Sequence, residues 1–168
     1  MAYYDFIAKG YDELHKEEQL NKLLVIKNNV KINKKIKILD IGCGTGISSD
    51  FGCFVVGIDP SIGLLKQNNN DKKLLSAAEM LPFKDSSFDY VVSITSMHNF
   101  KNIKKSINEI KRVGKENFVF SVLKNPRKFD FIKNLIEKNF RVGNVIEEGK
   151  DVIFFCTKPA SVKINPNK

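Results

Sequence analysis

The chain has 168 residues, 42% hydrophobic and 28% charged, which is ordinary for a single globular domain. No apolar run approaches the roughly 20 residues of a membrane helix, and the N-terminus does not resemble a signal peptide. We therefore expect a cytoplasmic protein with no membrane association. Three cysteines without a Cys-x-x-Cys pair, and only two histidines, argue against a disulfide framework and a bound metal.

The net charge of +9 is compatible with an RNA partner. The lysines are spread along the chain rather than gathered into one run. The chain is also rich in Asn and Ile, as the product of an AT-rich genome would be. Both explanations of the charge stay open from the sequence.

Helical and strand-like patterns alternate along the chain. Leucines at helical spacing predict a first helix over Tyr11–Val30. Apolar runs predict strands at Ile36–Ile41, Phe54–Ile58, Leu74–Leu75, Phe88–Ile94, Phe118–Leu123, Arg141–Glu147 and Val152–Thr157. Helices are predicted between strands at 47–51, 61–67, 103–110 and 129–136.

This alternation is typical of an α/β fold, with a doubly wound, mostly parallel sheet between two helical layers. No helix fits in the short connection around Glu148, Gly149 and Lys150 between the last two predicted strands, so they should form an antiparallel hairpin. We predict a seven-stranded sheet in one domain over 1–158. Residues 1–30 would be a helical lid and residues 159–168 a loose tail.

The segment Ile38–Gly46, which reads Ile-Leu-Asp-Ile-Gly-Cys-Gly-Thr-Gly, leads from a buried strand into alternating glycines. Glycine permits a tight turn and close approach of a ligand to the backbone. Ligands of open α/β sheets lie at the carboxyl ends of the strands, where this loop is expected. Asp59 ends the next strand and suits the hydroxyls of a ribose. Together they predict an adenosine-containing cofactor.

The glycine spacing distinguishes between cofactors. NAD-binding proteins carry G-x-G-x-x-G, with a helix N-terminus aimed at the pyrophosphate. Here the spacing is G-x-G-x-G, and Asp40 lies two residues before the first glycine. An acid there favours a cofactor with a cationic amino-acid end over one with two phosphates.

The glycine segment resembles motif I of the class I S-adenosylmethionine-dependent methyltransferases. Ala77–Asp89 resembles the segment between strands three and four in the quinone-biosynthesis-like, type 11 branch, and Glu109–Val113 is similar to the helix after strand four. Tyr3–Asp12 looks like the usual N-terminal entry. The resemblance covers nearly the whole chain. It implies a Rossmann-like fold, S-adenosylmethionine as cofactor, S-adenosylhomocysteine as product, and methyl transfer to a small molecule, an RNA or a protein.

The resemblance also implies contacts to the methionine end of the cofactor. Gly42, Cys43 and Gly44 would lie against the methionine part. Asp40 would lie near the amino group, and Thr95 would face the same end.

At the adenosine end, Asp59 would hold the ribose and Pro60 would pack on the adenine. The backbone of Ala78 would read the adenine edge. Related proteins often carry an aspartate for the adenine amino group at the position of Ala77, which alanine cannot replace. Either Glu79 compensates or the affinity is lower.

A short connection is the second departure from the family pattern. Asp59 follows Gly46 by only 13 positions (59 − 46), about one helical turn fewer than expected. The first helix after the glycine loop should be stunted. The wall that it forms would be open or covered by an activating protein partner.

Two residues are candidates for the catalytic step. His98 follows the fourth strand and titrates near neutral pH, so it suits a general base, although it would otherwise cap or pack beside the next helix. Tyr11 either contacts the cofactor carboxylate or sulfonium, or is a buried helix-start aromatic.

Alternative functions remain from the sequence: a non-catalytic S-adenosylmethionine-binding subunit that regulates a partner, an aminopropyltransferase and, last, an NAD oxidoreductase. No Asn/Asp-Pro-Pro-Tyr/Phe segment follows the fourth strand. The usual pocket for methylating an exocyclic amino group of a base is therefore not predicted.

Overall fold

The computed structural model describes residues 11–125 and 127–159, with side chains from residue 15 onward. The predicted tail lies almost entirely outside these residues, and so do the first ten residues of the predicted lid. None of the described helices is long and apolar enough to cross a bilayer.

The described strands form one seven-stranded sheet in the order β3-β2-β1-β4-β5-β7-β6. Their bounds are β1 Lys37–Ile41, β2 Phe54–Asp59, β3 Lys73–Leu75, β4 Phe88–Ile94, β5 Gly114–Leu123, β6 Arg141–Glu148 and β7 Asp151–Thr157. Strands β1 to β5 run parallel, whereas β7 pairs antiparallel with both β5 and β6. The doubly wound, Rossmann-like sheet with an antiparallel C-terminal hairpin is confirmed.

The helices are α1 Tyr11–Asn29, α2 Ile62–Gln67, α3 Ile103–Val113 and α4 Phe129–Asn139, with a short 3₁₀ turn at Met97–Asn99. Helix α3 begins at an N-cap, because the Asn102 side chain accepts a hydrogen bond from the Lys105 N–H. It runs directly into β5, which therefore starts four residues before the predicted Phe118.

Two apolar cores lie on opposite faces of the sheet. Successive strand residues point to opposite faces, so Ile38 joins one core and Leu39 the other. The first core lies under α1, which contributes Leu23 and Ile26. The second core lies under α3 and α4. This is the three-layer arrangement that strands buried on both faces require.

Helix α1 presents a different face to the sheet than its leucines suggest. Leu20 and Leu24 are 40% and 59% exposed. The buried positions are Gln19, Lys22, Leu23 and Ile26, at spacings of three and four residues. The inward face is therefore apolar only in its second half, and its first half carries polar groups to the sheet edge.

The helix predicted at 47–51 is wrong, since the chain from 42 to 53 forms turns. The glycines on either side, Gly46 and Gly52, have φ of +81° and +70°, which ends regular helix geometry. Ser49 within the segment is turned inward and donates its hydroxyl to Asp40. Five residues make barely more than one turn, too few to offset the cost of helix nucleation.

Candidate active site

The strand order places a topological switch point, called the crevice below, at the carboxyl end of β1. This strand lies between β2 and β4, so the chain leaves β1 toward one side of the sheet and leaves β4 toward the other. Ligands of doubly wound sheets bind at such a switch point. The loops after β1 and after β4 therefore form its walls.

The glycine loop is held in left-handed backbone conformations that favour glycine. Gly42, Gly44 and Gly46 have φ of +77°, +51° and +81°. The Gly42 and Cys43 N–H groups donate to the Ile58 carbonyl at 2.8 and 3.0 Å, which ties the loop to the end of β2.

Ser96 closes the other side of the loop. A Cβ at Gly42 would overlap the Ser96 side chain, whose hydroxyl donates to the Ile41 carbonyl at 2.8 Å. Glycine is therefore required at position 42 for packing as well as for φ. The two walls of the crevice are in direct contact through this pair.

Asp59 lies at the carboxyl end of β2, beside the glycine loop. Its Oδ2 accepts from the Gly44 N–H at 2.9 Å and its Oδ1 from the Ser61 N–H at 2.7 Å. These amides fix the orientation of a carboxylate that is only 7% exposed. The placement fits a residue that receives ribose hydroxyls.

Asp40 is 1% exposed and accepts a hydrogen bond from the Ser49 hydroxyl. Burial raises the pKa of Asp40 to about 7, with Ser49 opposing the shift and the Asp59 charge adding to it. A cation placed beside Asp40 would favour its charged form and offset this cost. A cofactor with an ammonium group fits that requirement.

Cys43 is buried against Gly57. A Cβ added at Gly57 would lie only 2.7 Å from the Cys43 Sγ. Burial raises the pKa of the thiol far above its ordinary value, so it has no thiolate character near neutral pH. Asn68, which the sequence did not single out, donates to the Gly44 carbonyl at 3.1 Å and packs on Gly46.

The residues implied for adenine lie in different settings. Pro60 is exposed, Ala78 is 4% exposed, and Ala77 is half-buried. Glu79 accepts from the Asn102 N–H at 2.9 Å, which places its carboxylate at the start of α3. That hydrogen bond gives the Glu79 carboxylate a structural role. Whether Glu79 also binds the adenine amino group in place of an aspartate at position 77 stays a prediction.

A buried charge cluster that no sequence pattern predicts lies beside the crevice. The Lys22 ammonium is 2.7 Å from a Glu18 oxygen and 3.2 Å from Asp151 Oδ1. The side chains of Lys22 and Asp151 are both fully buried. The cluster joins α1 to the first residue of β7.

Thr95, the first residue after β4, belongs to this cluster. Its hydroxyl donates to Asp151 Oδ2 at 2.7 Å and accepts from Lys22 Nζ at 2.8 Å. Ser121 donates to the same Asp151 oxygen at 2.5 Å. Thr95 has φ of +52°, an unfavourable value for a β-branched residue, and these bonds stabilise it. Its hydroxyl is thus engaged within the protein.

His98 lies in the 3₁₀ turn after β4 and is half-buried. Its Nδ1 is buried without a hydrogen-bond partner among the described residues. Burial lowers the pKa of the imidazole, with Asp151 opposing the shift and the positive charges of Lys128 and Lys22 adding to it. His98 is therefore neutral at neutral pH.

The other catalytic candidate, Tyr11, begins α1, and its side chain lies outside the described residues.

These features define a class of protein: a doubly wound α/β domain with a glycine loop and a strand-end acid at the switch point of its sheet. The methyltransferase domain family matches residues 39–122, which is half of the chain. The chain belongs to this family, and S-adenosylmethionine is the cofactor that the family and its structural neighbours indicate.

Curated relatives extend the match. An uncharacterized protein of Methanocaldococcus jannaschii is 38% identical and aligns over 96% of this chain and 67% of its own length. A demethylmenaquinone methyltransferase of Renibacterium salmoninarum is 37% identical over 47% of this chain and 37% of its own. An 18S rRNA (guanine-N(7))-methyltransferase of Bos taurus is 35% identical over 44% of this chain and 29% of its own.

Solved structures share the fold. An S-adenosylmethionine-dependent methyltransferase from Aquifex aeolicus superposes with a TM-score of 0.78 at 19% identity, covering 92% of this chain and 98% of its own. A Haloferax volcanii methyltransferase in complex with the Trm112 methyltransferase activator gives a TM-score of 0.79 at 14% identity, covering 93% and 97%.

The buried ion pair is testable by a double-mutant cycle. Lys22→Met leaves the Asp151 carboxylate buried without its cation and should lower the free energy of unfolding by about 3–5 kcal/mol. Adding Asp151→Asn removes that charge and should recover much of the loss. Urea unfolding of the single and double variants measures both effects.

Lys133→Met is the matched control, because the Lys133 side chain is 44% exposed and its ammonium lies 3.9 Å from a Glu137 oxygen. It should change stability by about 0.5 kcal/mol or less. Equal effects of Lys22→Met and Lys133→Met would contradict the importance of the buried pair.

Proposed function

We propose that the protein transfers a methyl group from S-adenosylmethionine to an acceptor held beside His98. The observation that carries this proposal is the contact between Ser96 and Gly42. It brings the glycine loop and the turn that bears His98 to two sides of one crevice. A group bound at the glycine loop and an acceptor at His98 would then be neighbours.

The residues of the crevice would divide the cofactor between them. Asp59 would accept the ribose hydroxyls, while Gly42, Cys43 and Gly44 offer a backbone surface to the methionine part. Asp40 would face the ammonium. When bound, the cofactor supplies an electrophilic sulfonium methyl for in-line displacement, so the protein contributes mainly positioning and exclusion of water.

His98 would act as the general base when the acceptor carries a proton. Its lowered pKa keeps the imidazole neutral and able to accept that proton near pH 7. The negative charge of Asp151 favours the protonated form and would stabilise the imidazolium once it forms. Lys22 neutralises Asp151 in part, so it would help to set the basicity of His98.

The second part of the proposal is that a protein partner binds this chain and activates it. If the chain has no turnover, it would instead be a non-catalytic subunit of that partner. The Haloferax volcanii neighbour is a methyltransferase bound to such an activator. Without a helix between β1 and β2, an open cleft of about 290 Å³ remains near Phe51 and Asn70. At the free edge of the sheet, Leu74 and Leu75 of β3 are 43% and 59% exposed.

Turnover should depend on His98. His98→Gln should slow methyl transfer by about 10²-fold or more with little change in cofactor affinity, because a general base contributes 10²–10⁴-fold. The wild-type rate should rise with pH through a pKa below the ordinary 6.5, and the variant should lose that limb. The measurement uses methyl-labelled cofactor and extract of the source cells.

His15→Gln is the matched control, since His15 is the other of the two histidines. It should keep both the rate and the pH profile. A full rate in His98→Gln would remove His98 as the base. Absence of labelled product, despite measured cofactor binding, would favour the non-catalytic subunit.

The ribose assignment predicts a loss of affinity. Asp59→Ala should weaken S-adenosylhomocysteine binding at least tenfold, or about 1.4 kcal/mol. Isothermal titration calorimetry measures this directly. An unchanged dissociation constant in a folded variant would contradict the role of Asp59.

The Asp40 assignment predicts proton release on binding. In the free protein Asp40 is partly protonated near its pKa of about 7, and a neighbouring ammonium should lower that pKa. S-adenosylhomocysteine should therefore displace a proton at about pH 6.5, up to about one per site. Titrations in buffers of different ionisation enthalpy count the protons.

Asp40→Asn should abolish this release. Asp89→Asn is its control, because Asp89 lies near the amino end of β4, away from the crevice, and its pKa is already lowered by its hydrogen bond from Lys115. Proton release that persists in Asp40→Asn would mean that another group titrates.

A further inference from the structure

We infer that a cleft between the first turns of α3 and α4 binds single-stranded nucleic acid and presents it to the crevice. The inference names the acceptor class and so rests on the proposed methyl transfer. The cleft holds about 320 Å³ and is lined by Phe100, Lys101, Asn102, Ile103, Lys104, Lys128 and Phe131.

The charge of the cleft has one sign. Lys101, Lys104 and Lys128 are exposed at its wall, and none of the described residues that line it is acidic. Asp130 is exposed in the first turn of α4 but does not line the cleft. Three lysines on one concave surface suit a polyanion with several phosphates better than a single anion.

Two aromatic rings lie among these lysines. Phe131 is 48% exposed on α4, whereas Ile132 and Ile136 of the same helix are fully buried. The packing of α4 therefore does not require an aromatic ring at position 131. Phe100 is half-buried on the α3 side of the cleft. An exposed ring such as that of Phe131, set among cations, is a surface on which an unpaired base stacks while the backbone is neutralised.

The cleft adjoins the proposed catalytic turn. The Lys128 ammonium donates to the His98 carbonyl at 2.5 Å, so one wall of the cleft is bonded to that turn. A volume of about 320 Å³ is that of a small-ligand site and admits a splayed nucleotide rather than a duplex. A strand bound here would place one nucleotide beside His98.

Nucleic acid is favoured over an acidic peptide by the aromatic rings. Lysines alone would serve either polyanion, but a carboxylate side chain gains nothing from the face of Phe131. The net charge of +9 also favours nucleic acid, because it attracts polyanions from solution. On this inference the high lysine content serves nucleic-acid binding and is not only the result of an AT-rich genome.

The test is fluorescence anisotropy with a labelled single-stranded RNA of about ten nucleotides, in the presence of S-adenosylhomocysteine. Three phosphate contacts predict a slope of log K against log salt of about −2, and Lys101→Gln or Lys104→Gln should each reduce its magnitude by about 0.7. Phe131→Leu should weaken binding about fivefold or more with the slope unchanged.

Lys133→Gln and Phe54→Leu are the matched controls. Lys133 lies two residues from Phe131 and so on another side of α4, and Phe54 is 42% exposed at the amino end of β2. Neither should change RNA affinity. Equal losses in controls and cleft variants, or competition by polyglutamate as strong as by unlabelled RNA, would overturn the inference.

Calorimetry with S-adenosylhomocysteine keeps this inference separate from the proposed function. Cofactor binding without RNA binding would refute the nucleic-acid cleft and leave methyl transfer standing. RNA binding that depends on the cleft residues in a protein without cofactor affinity would refute the methyltransferase proposal and keep the cleft. All cleft variants should retain the wild-type cofactor affinity, which also shows that they fold.

Discussion

A buried ammonium and a buried carboxylate, Lys22 and Asp151, lie where the first helix, the turn after β4 and the last strand meet. Removing such charges from water costs several kcal/mol for each ion, so they persist only with partners around them. Glu18, Thr95 and Ser121 supply those partners. The geometry of the carboxyl edge around β4 follows from this cluster, because Thr95 is held by it in a left-handed conformation.

The turn after β4 forms one wall of the crevice. Thr95 is followed by Ser96, which packs on Gly42, and two residues later by His98. Thr95, a strained member of the charge cluster, thus connects the cluster to both the glycine loop and the turn of the proposed base. The cluster also changes the electrostatic environment of His98, since Asp151 and Lys22 act on its pKa with opposite sign. Structure and proposed chemistry share the same few groups.

The sheet and the cofactor class were predictable because their signals are local. Apolar runs predict the strands, and the Ile38–Gly46 segment with Asp59 predicts an adenosine-containing cofactor from about 20 residues of sequence. The charge cluster was not predictable, because Lys22 and Asp151 are 129 residues apart (151 − 22) and each resembles an exposed polar residue in sequence. Ser96 and Asn68 were missed for the same reason: their partners are glycines of the loop, met only after folding. The prediction of a helix at 47–51 was wrong because the hydrogen bond from the Ser49 hydroxyl to Asp40 outweighs the weak helix propensity of this short segment.

The insertion of β7 between β5 and β6 has a consequence for how the chain folds. Strand β6 is made first, yet it reaches the sheet only through β7, the last described strand. Until residue 151 is in place, the Lys22 ammonium of the first helix has no buried counter-charge at the sheet edge. The first helix and the last strand therefore depend on each other for the burial of these two charges, and a nascent chain that lacks β7 has no Asp151 to accompany Lys22 into the sheet edge.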